Sequence, residues 1–242
     1  FIFIYLLYYL IMKFKQYDAG KIGIKDLFNQ HEFSIPPYQR EYSWEKVQWD
    51  DFSELLESLD DDEKGFLGQV VNAYDSTAYI RKVDALEREG KDTDNLVKPV
   101  ELVDGQQRLT TLTVLFHCLL EKVHPDYAAE FDRCDDPRQV EEPEPVEGEP
   151  VLTDLRKKLV DICQWVLRPD TKGKPLHERT RLINTKHERI WEIIFSTDSH
   201  KDRKDRFTEL KEESDRNRAD NVDNGFVLND GDHNLRKQYN RI

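Results

Sequence analysis

Two rhythms of apolar residues organise this chain. The stretch from Val100 to Val103 reads as a short apolar strand, stopped abruptly by Asp104-Gly105. Leu109, Leu112, Phe116, Leu119, Leu120 and Val123 then recur at three- and four-residue spacing with polar residues between them, which predicts one buried helix face. The same spacing at Phe52, Leu55, Leu56 and Leu59 predicts a second helix. Ser43 is its expected N-cap, and the acidic run Asp60 to Glu63 with Gly65 is its expected end. Carboxylates there oppose the helix dipole and predict fraying.

Around these two helices the pattern is weaker. Ile22 to Phe28 reads as a strand end followed by a short helix, and Phe66 to Tyr74 as a strand. Residues 75 to 98 are polar and poorly periodic, which predicts a loop or hairpin excursion. Residues 134 to 150 form an acidic, proline-rich stretch with no means of packing a core, expected as a linker or insertion. Beyond it, Leu152, Leu155, Leu159, Ile162 and Val166 return to helical spacing, and Ile183, Ile190, Trp191, Ile194 and Phe195 suggest another amphipathic helix with a loose start. Residues 198 to 224 are densely charged with both signs mixed, as in Lys201 to Arg206, which predicts a solvated helix face rather than a DNA-binding run. Phe226 to Ile242 shows no clear stop signal. The expected organisation is an upstream extension over 1–11 with a natural start at Met12, a first domain over 12–133, the linker over 134–150, and a helical, truncated region over 151–242.

Composition narrows the classes. With 242 residues the chain is long enough to bury a real core, and a net charge of −13 gives no support to general attraction for nucleic acid. Charged residues make up 35% of the chain, and the mean hydropathy of −0.78 describes a strongly solvated surface. Cys118, Cys134 and Cys163 have no paired spacing, which suits a reducing cytoplasm and argues against a disulfide framework or zinc site. The apolar opening from Phe1 to Ile11 is far shorter than the roughly 20 residues of a membrane span, so no membrane association is expected.

Candidate chemistry concentrates at the junction after Val103. A strand-turn-helix junction sets the free N–H groups of the first helical turn beside the turn, a natural anion site. Gly105 would let a phosphate approach the backbone, Arg108 adds a planar fork of donors, and Thr110 and Thr111 add hydroxyls. Asp104 either caps the helix or holds a metal ion or a water. A second unusual string, Ile35-Pro36-Pro37-Tyr38-Gln39-Arg40-Glu41-Tyr42-Ser43-Trp44, precedes it. Packing explains Trp44 as a core aromatic, but gives the adjacent polar pair Gln39 and Arg40 no task. No glycine loop of the P-loop type, with its lysine, is present.

Taken together, these two strings closely resemble the N-terminal domain of GmrSD-type restriction systems, type IV modification-dependent anti-phage proteins. The phosphorothioate-sensing SspE proteins carry a similar domain. The resemblance covers about residues 20 to 123, with Phe66-Leu67-Gly68 between the strings also fitting. It implies an α+β, ParB/sulfiredoxin-like fold, a small mixed sheet with helices followed by a helical region. It further implies binding and hydrolysis of a nucleoside triphosphate with Mg2+ or a similar divalent metal, coupled to cleavage of modified DNA by an HNH-type nuclease partner.

By motif, the resemblance implies catalytic roles for Asp104, Gln106, Gln107 and Arg108, with Asp104 also the metal ligand. Tyr38, Gln39, Arg40, Gly105, Thr110 and Thr111 would bind the nucleotide. Arg108 and Arg40 would neutralise phosphate charge, a glutamine would orient water, and Tyr38 would offer a ring to base or ribose. The histidines, at positions 31, 117, 124, 177, 187, 200 and 233, are scattered, and Asp232-His233-Asn234 is the sole hint of a metal-binding group. The expectation is a cytoplasmic regulatory subunit or fragment without its own nuclease motif, with a homodimer open to it. A non-hydrolysing sensor of modified DNA or nucleotide, or an inactive fragment, are the alternatives.

Overall fold

The computed structural model describes residues 20–58, 66–74, 76–90, 97–123, 165–168, 171, 174–196, 198–220, 222 and 225–241. The upstream extension and Met12, Leu59 with the acidic run after it, the linker over 134–150, Cys134, Cys163 and the leucine spacing from Leu152 to Ile162 lie outside these residues.

Helix α1 (Ile24–Gln30) buries Leu27 and Phe28 and runs directly into β1 (His31–Ser34). The Pro36-Pro37 turn then leads to α2 (Lys46–Glu57), whose N-cap is Glu45 rather than Ser43. Glu45 and Gln48 form a reciprocal capping box. Ser43 is drawn elsewhere, because its backbone N–H donates to Gln107 Oε1 at 2.8 Å.

The expected strand over 66–74 shrinks to β2 (Val71–Tyr74). Its neighbour among the described residues, β3 (Lys98–Asp104), ends opposite Val71, so residues before Val71 find no ladder there to join. The expected loop over 75–98 instead contains helix α3 (Ser76–Arg88). Tyr79, Lys82, Val83 and Leu86 are its half-buried stripe, narrow and interrupted by charge, and the aliphatic stem of a lysine does part of the covering. Lys82 then pairs with Glu32 of β1 at 2.7 Å.

After β3 comes α4 (Gln106–Val123), as its periodicity predicts. Further on, Ile183 leaves the expected helix and forms β4 (Leu182–Ile183), because β1 offers a free edge to it. Helix α5 (Glu188–Ile194) begins only after a short 3₁₀ turn over Thr185–His187. The charged stretch forms α6 (His200–Ala219), largely solvated, yet Arg203, Phe207, Leu210 and Ser214 make a buried stripe at helical spacing. Helix α7 (Asp230–Tyr239) starts at a capping box of Asn229 and Asp232 and ends at Asn240.

The architecture is α+β: among the described residues, seven helices surround a four-stranded mixed sheet of order β2-β3-β1-β4. Strand β1 is parallel to both β3 and β4, whereas β2 is antiparallel to β3. Phe33 sits at the centre, opposite Val100 on one side and Leu182 on the other. One core joins Phe28, Phe33, Leu102, Leu109, Leu120, Leu182, Ile190, Phe195 and Leu235, so segments from both sides of the acidic stretch share it. Among the described residues no helix is long and apolar enough to cross a membrane.

Candidate functional site

The site grows from the C-terminal end of β3, where central parallel strands open onto the start of a helix. Gly105 turns the chain with φ +93°, a conformation that strongly favours glycine. The space above it is filled by protein, since an added Cβ would lie 3.1 Å from Val70 Cγ2 and 3.3 Å from the Gln69 carbonyl. Asp104 is exposed at the strand end, and its Oδ1 accepts the Gly105 N–H at 2.7 Å. Arg108 extends away from the turn over Gly68 to donate to the Gln69 carbonyl.

The two sequence strings lie side by side and are joined by amide side chains. Gln39 Nε2 donates to the Leu102 and Val103 carbonyls at 3.1 and 2.8 Å. Gln106 Nε2 donates to the Arg40 carbonyl at 2.9 Å, and Gln107 Nε2 to the Glu41 carbonyl at 3.0 Å. With Ser43 N–H on its Oε1, Gln107 is satisfied at both ends and works as a clamp. Among the described residues, the Gln106 side-chain carbonyl has no such partner. The Thr111 hydroxyl donates to the Gln107 carbonyl, which leaves the Tyr42 hydroxyl to donate to Thr111 at 2.8 Å. Burial holds the Tyr42 phenol protonated, well above its ordinary range, against the smaller opposing pull of that bond.

A small open cleft with a cavity volume of about 10 Å³ lies along this seam. Ile35, Arg40, Tyr42, Gln106, Gln107 and Thr110 line one part of it, and Asn184, Lys186 and His187 the rest. Of the residues expected at a nucleotide, Arg40, Gln106, Gln107 and Thr110 therefore line the cleft. Gln39 and Thr111 brace it from behind. Asp104, Gly105 and Arg108 are not among the lining residues, and Tyr38 is 68% exposed in the turn before Gln39.

The wall formed by Asn184, Lys186 and His187 carried no signal as a motif. Lys186 Nζ donates to the Gln39 carbonyl. His187 Nε2 accepts the Tyr42 N–H at 3.1 Å, so its Nδ1 carries the hydrogen that meets Asp232 Oδ1 at 2.8 Å. Asp232, which the sequence offered as part of a metal group with His233, instead caps α7 and orients His187. Gly231 makes that docking possible: an added Cβ would sit 2.5 Å from His187 Cε1 and 2.8 Å from Glu41 Cβ. Asn184 is 3% exposed, and its Oδ1 has no hydrogen-bond partner. A bare buried acceptor of that kind costs about 1 to 3 kcal/mol. Among the described residues no three His, Cys, Asp or Glu side chains are grouped to hold a metal ion.

With that geometry established, the relationships of the chain are clear. The family described as GmrSD restriction endonuclease, N-terminal domain, matches residues 24–241, and the chain belongs to it. The match spans α1 to the end of α7, well beyond the two strings. Membership makes the chain part of a type IV restriction system, in a family whose N-terminal domain goes with a nuclease domain. Among curated proteins none matches it.

Proposed function

Proceeding from that membership, we propose that the cleft binds the phosphates of a nucleoside triphosphate and hydrolyses it, as the regulatory step of modification-dependent restriction by an HNH-type nuclease partner. The observation that carries this reading is the meeting of Arg40 and Lys186 with the start of α4 in one cleft. Phosphoryl transfer is mostly positioning and charge stabilisation, and those elements supply both. Arg40 and Lys186 neutralise phosphate oxygens, and the first turn of α4 adds its dipole.

The hydrogen bonds of the two glutamines support different roles for them. Gln107 holds the Glu41–Ser43 backbone in place, whereas Gln106, with a free side-chain carbonyl, orients the attacking water. Arg108 acts through the Gly68–Val70 segment beneath the turn. The donor set suits phosphate better than it suits a metal cage. Asp104, exposed two residues before Gln106 and outside the cleft lining, would be the residue to hold a divalent ion such as Mg2+, which would supply neutralisation of phosphate charge.

One observation favours a second reading. Gln39 and Gln107 spend their amides on backbone groups, so a single glutamine remains for chemistry, and binding without turnover would make the domain a sensor of nucleotide or modified DNA. Phosphate release from each of several nucleoside triphosphates with Mg2+ decides between them. Wild type is expected to turn over, Arg40→Ala and Gln106→Ala to lose at least about tenfold, or 1.4 kcal/mol of barrier stabilisation. Arg108→Ala is expected to lose less, as a residue that acts from beneath. Saturable binding with no phosphate release by wild type would overturn hydrolysis in favour of the sensor.

A further inference from the structure

We infer that Asn184 and Gln106 hold a single water between their side-chain carbonyls, so that the β4–α5 connection supplies one of the two oxygens of a water site. The water's role as nucleophile rests on the hydrolysis reading above; the site itself does not. Asn184 stands directly before the 3₁₀ turn over Thr185–His187, where an asparagine ordinarily caps, yet its side chain makes no capping bond. It is 3% exposed and lines the cleft, and its Oδ1 has no hydrogen-bond partner among the described residues. Capping and packing therefore give that oxygen no task. Gln106, at the start of α4, lines the same cleft. Its Nε2 is taken by the Arg40 carbonyl, and its Oε1 has no partner among the described residues. The polar groups beside them are committed, Gln107 at both ends of its amide and His187 through both ring nitrogens.

Size and chemistry select the occupant. The cavity volume is about 10 Å³, which is about what one water needs and too little for an organic ligand. Two bare carbonyl oxygens accept hydrogen bonds and donate none, and water is the molecule of that size with two hydrogens to give. A small cation would also suit two such oxygens, but Arg40 and Lys186 line the same cleft and repel it. Gln238 has a bare amide too, yet it is not among the residues that line the cleft. A water held by both hydrogens turns its lone pairs away from the two carbonyls. With a nucleoside triphosphate bound by Arg40 and Lys186, that oxygen bonds to the terminal phosphorus while the bond from this phosphorus to its bridging oxygen breaks. The diphosphate leaves with the electron pair of that bond. One hydrogen of the water stays on the new phosphate and the other leaves to solvent as a proton; the amides orient the water without taking it.

The test has two arms, and the first needs no nucleotide. High-resolution crystals of the full chain are expected to show one ordered water within about 3 Å of both Asn184 Oδ1 and Gln106 Oε1. Asn184→Asp, which keeps an oxygen in place, should retain it, and Asn184→Leu, which fills the space with carbon, should lose it. No water at that position in wild type, or the same water undisturbed in Asn184→Leu, would overturn the site. The second arm is phosphate release from nucleoside triphosphates with Mg2+. Asn184→Leu is expected to lower kcat by about tenfold or more with KM within about threefold of wild type, the split of a residue that acts on the water and not on nucleotide binding. Asn184→Asp is expected to lose less. An unchanged kcat in Asn184→Leu would overturn the water as nucleophile. Melting temperatures accompany both arms, and if Asn184→Leu fails to fold, Asn184→Val takes its place. The two readings fail separately: wild type that releases no phosphate sinks hydrolysis, and the electron density then decides the water site by itself.

Discussion

Two buried polar clusters in this protein look alike in composition and differ in completeness. In the helical half, Arg203 of α6 spends every guanidinium N–H: on both oxygens of Glu121, on the Tyr239 hydroxyl at 2.7 Å, and on the Ser196 carbonyl and hydroxyl. Burial alone would lower the pKa of that guanidinium, but the Glu121 carboxylate outweighs it and fixes the charge. Beside it, His117 bonds the Ile194 carbonyl at 2.7 Å. In the cleft, by contrast, Asn184 has no partner for its Oδ1, and Gln106 has one end uncommitted. A fully paired network ties helices together; bare groups do not by themselves mark a site, since the fully buried Gln238 of α7 also has both amide atoms unpartnered among the described residues.

The comparison is broken most severely by removing one partner from the finished cluster. Arg203→Ala leaves Glu121 and Tyr239 facing an empty space and is expected to cost about 3 to 5 kcal/mol, read by denaturant unfolding. Gly231→Ala comes next, since its Cβ would meet His187 at 2.5 Å. Overpacking of that kind costs about 1 to 3 kcal/mol, and here it also displaces the residue that holds Tyr42, so phosphate binding should fall with stability.

The finished cluster also predicts a pH dependence. Burial, against the smaller opposing effect of Glu121, holds His117 below its ordinary pKa of 6.5. The folded state therefore resists a proton that the unfolded chain accepts. His117 thus destabilises the fold as pH falls below about 6.5, by at most about 1.4 kcal/mol per pH unit, and contributes no slope above it. Half-buried His31, lowered chiefly by burial as well, adds in the same direction. Unfolding free energies measured between pH 7 and pH 5 check this, with His117→Gln expected to flatten the slope. The smallest stability change is expected at Asn184→Leu, which replaces an unpaired polar group with an apolar one of similar size: within about 1 kcal/mol of wild type, read by the same unfolding measurement. A large loss of stability there would place Asn184 in a structural network like that of Arg203.

Much of the frame is legible in the sequence because it is local. The strand from Val100, the turn at Gly105 and the helix beyond it follow from run length, a glycine that takes positive φ, and three- and four-residue spacing. Helix α3 is illegible by the same measure, because its stripe of Tyr79, Val83 and Leu86 is thin, and the helix packs against β3. Strand β4 escapes notice because two residues have no period, and pairing with β1 alone makes Ile183 a strand residue. The N-cap shifts from Ser43 to Glu45 for a similar reason: Gln107, distant in the chain, takes the Ser43 amide.

For this protein the sequence by itself determined that two polar strings flank a strand-turn-helix junction, and it placed Arg40, Gln106, Gln107 and Thr110 among the residues to watch. Tertiary structure alone decided that Arg108 points to Gln69, that Gln107 is a clamp, and that Asn184, Lys186 and His187 close the cleft with Asp232 behind them. The physical reason is range. Turn chemistry and periodicity act over a few residues, whereas the direction of a long polar side chain is set by whichever donor or acceptor packing brings within 3 Å of it.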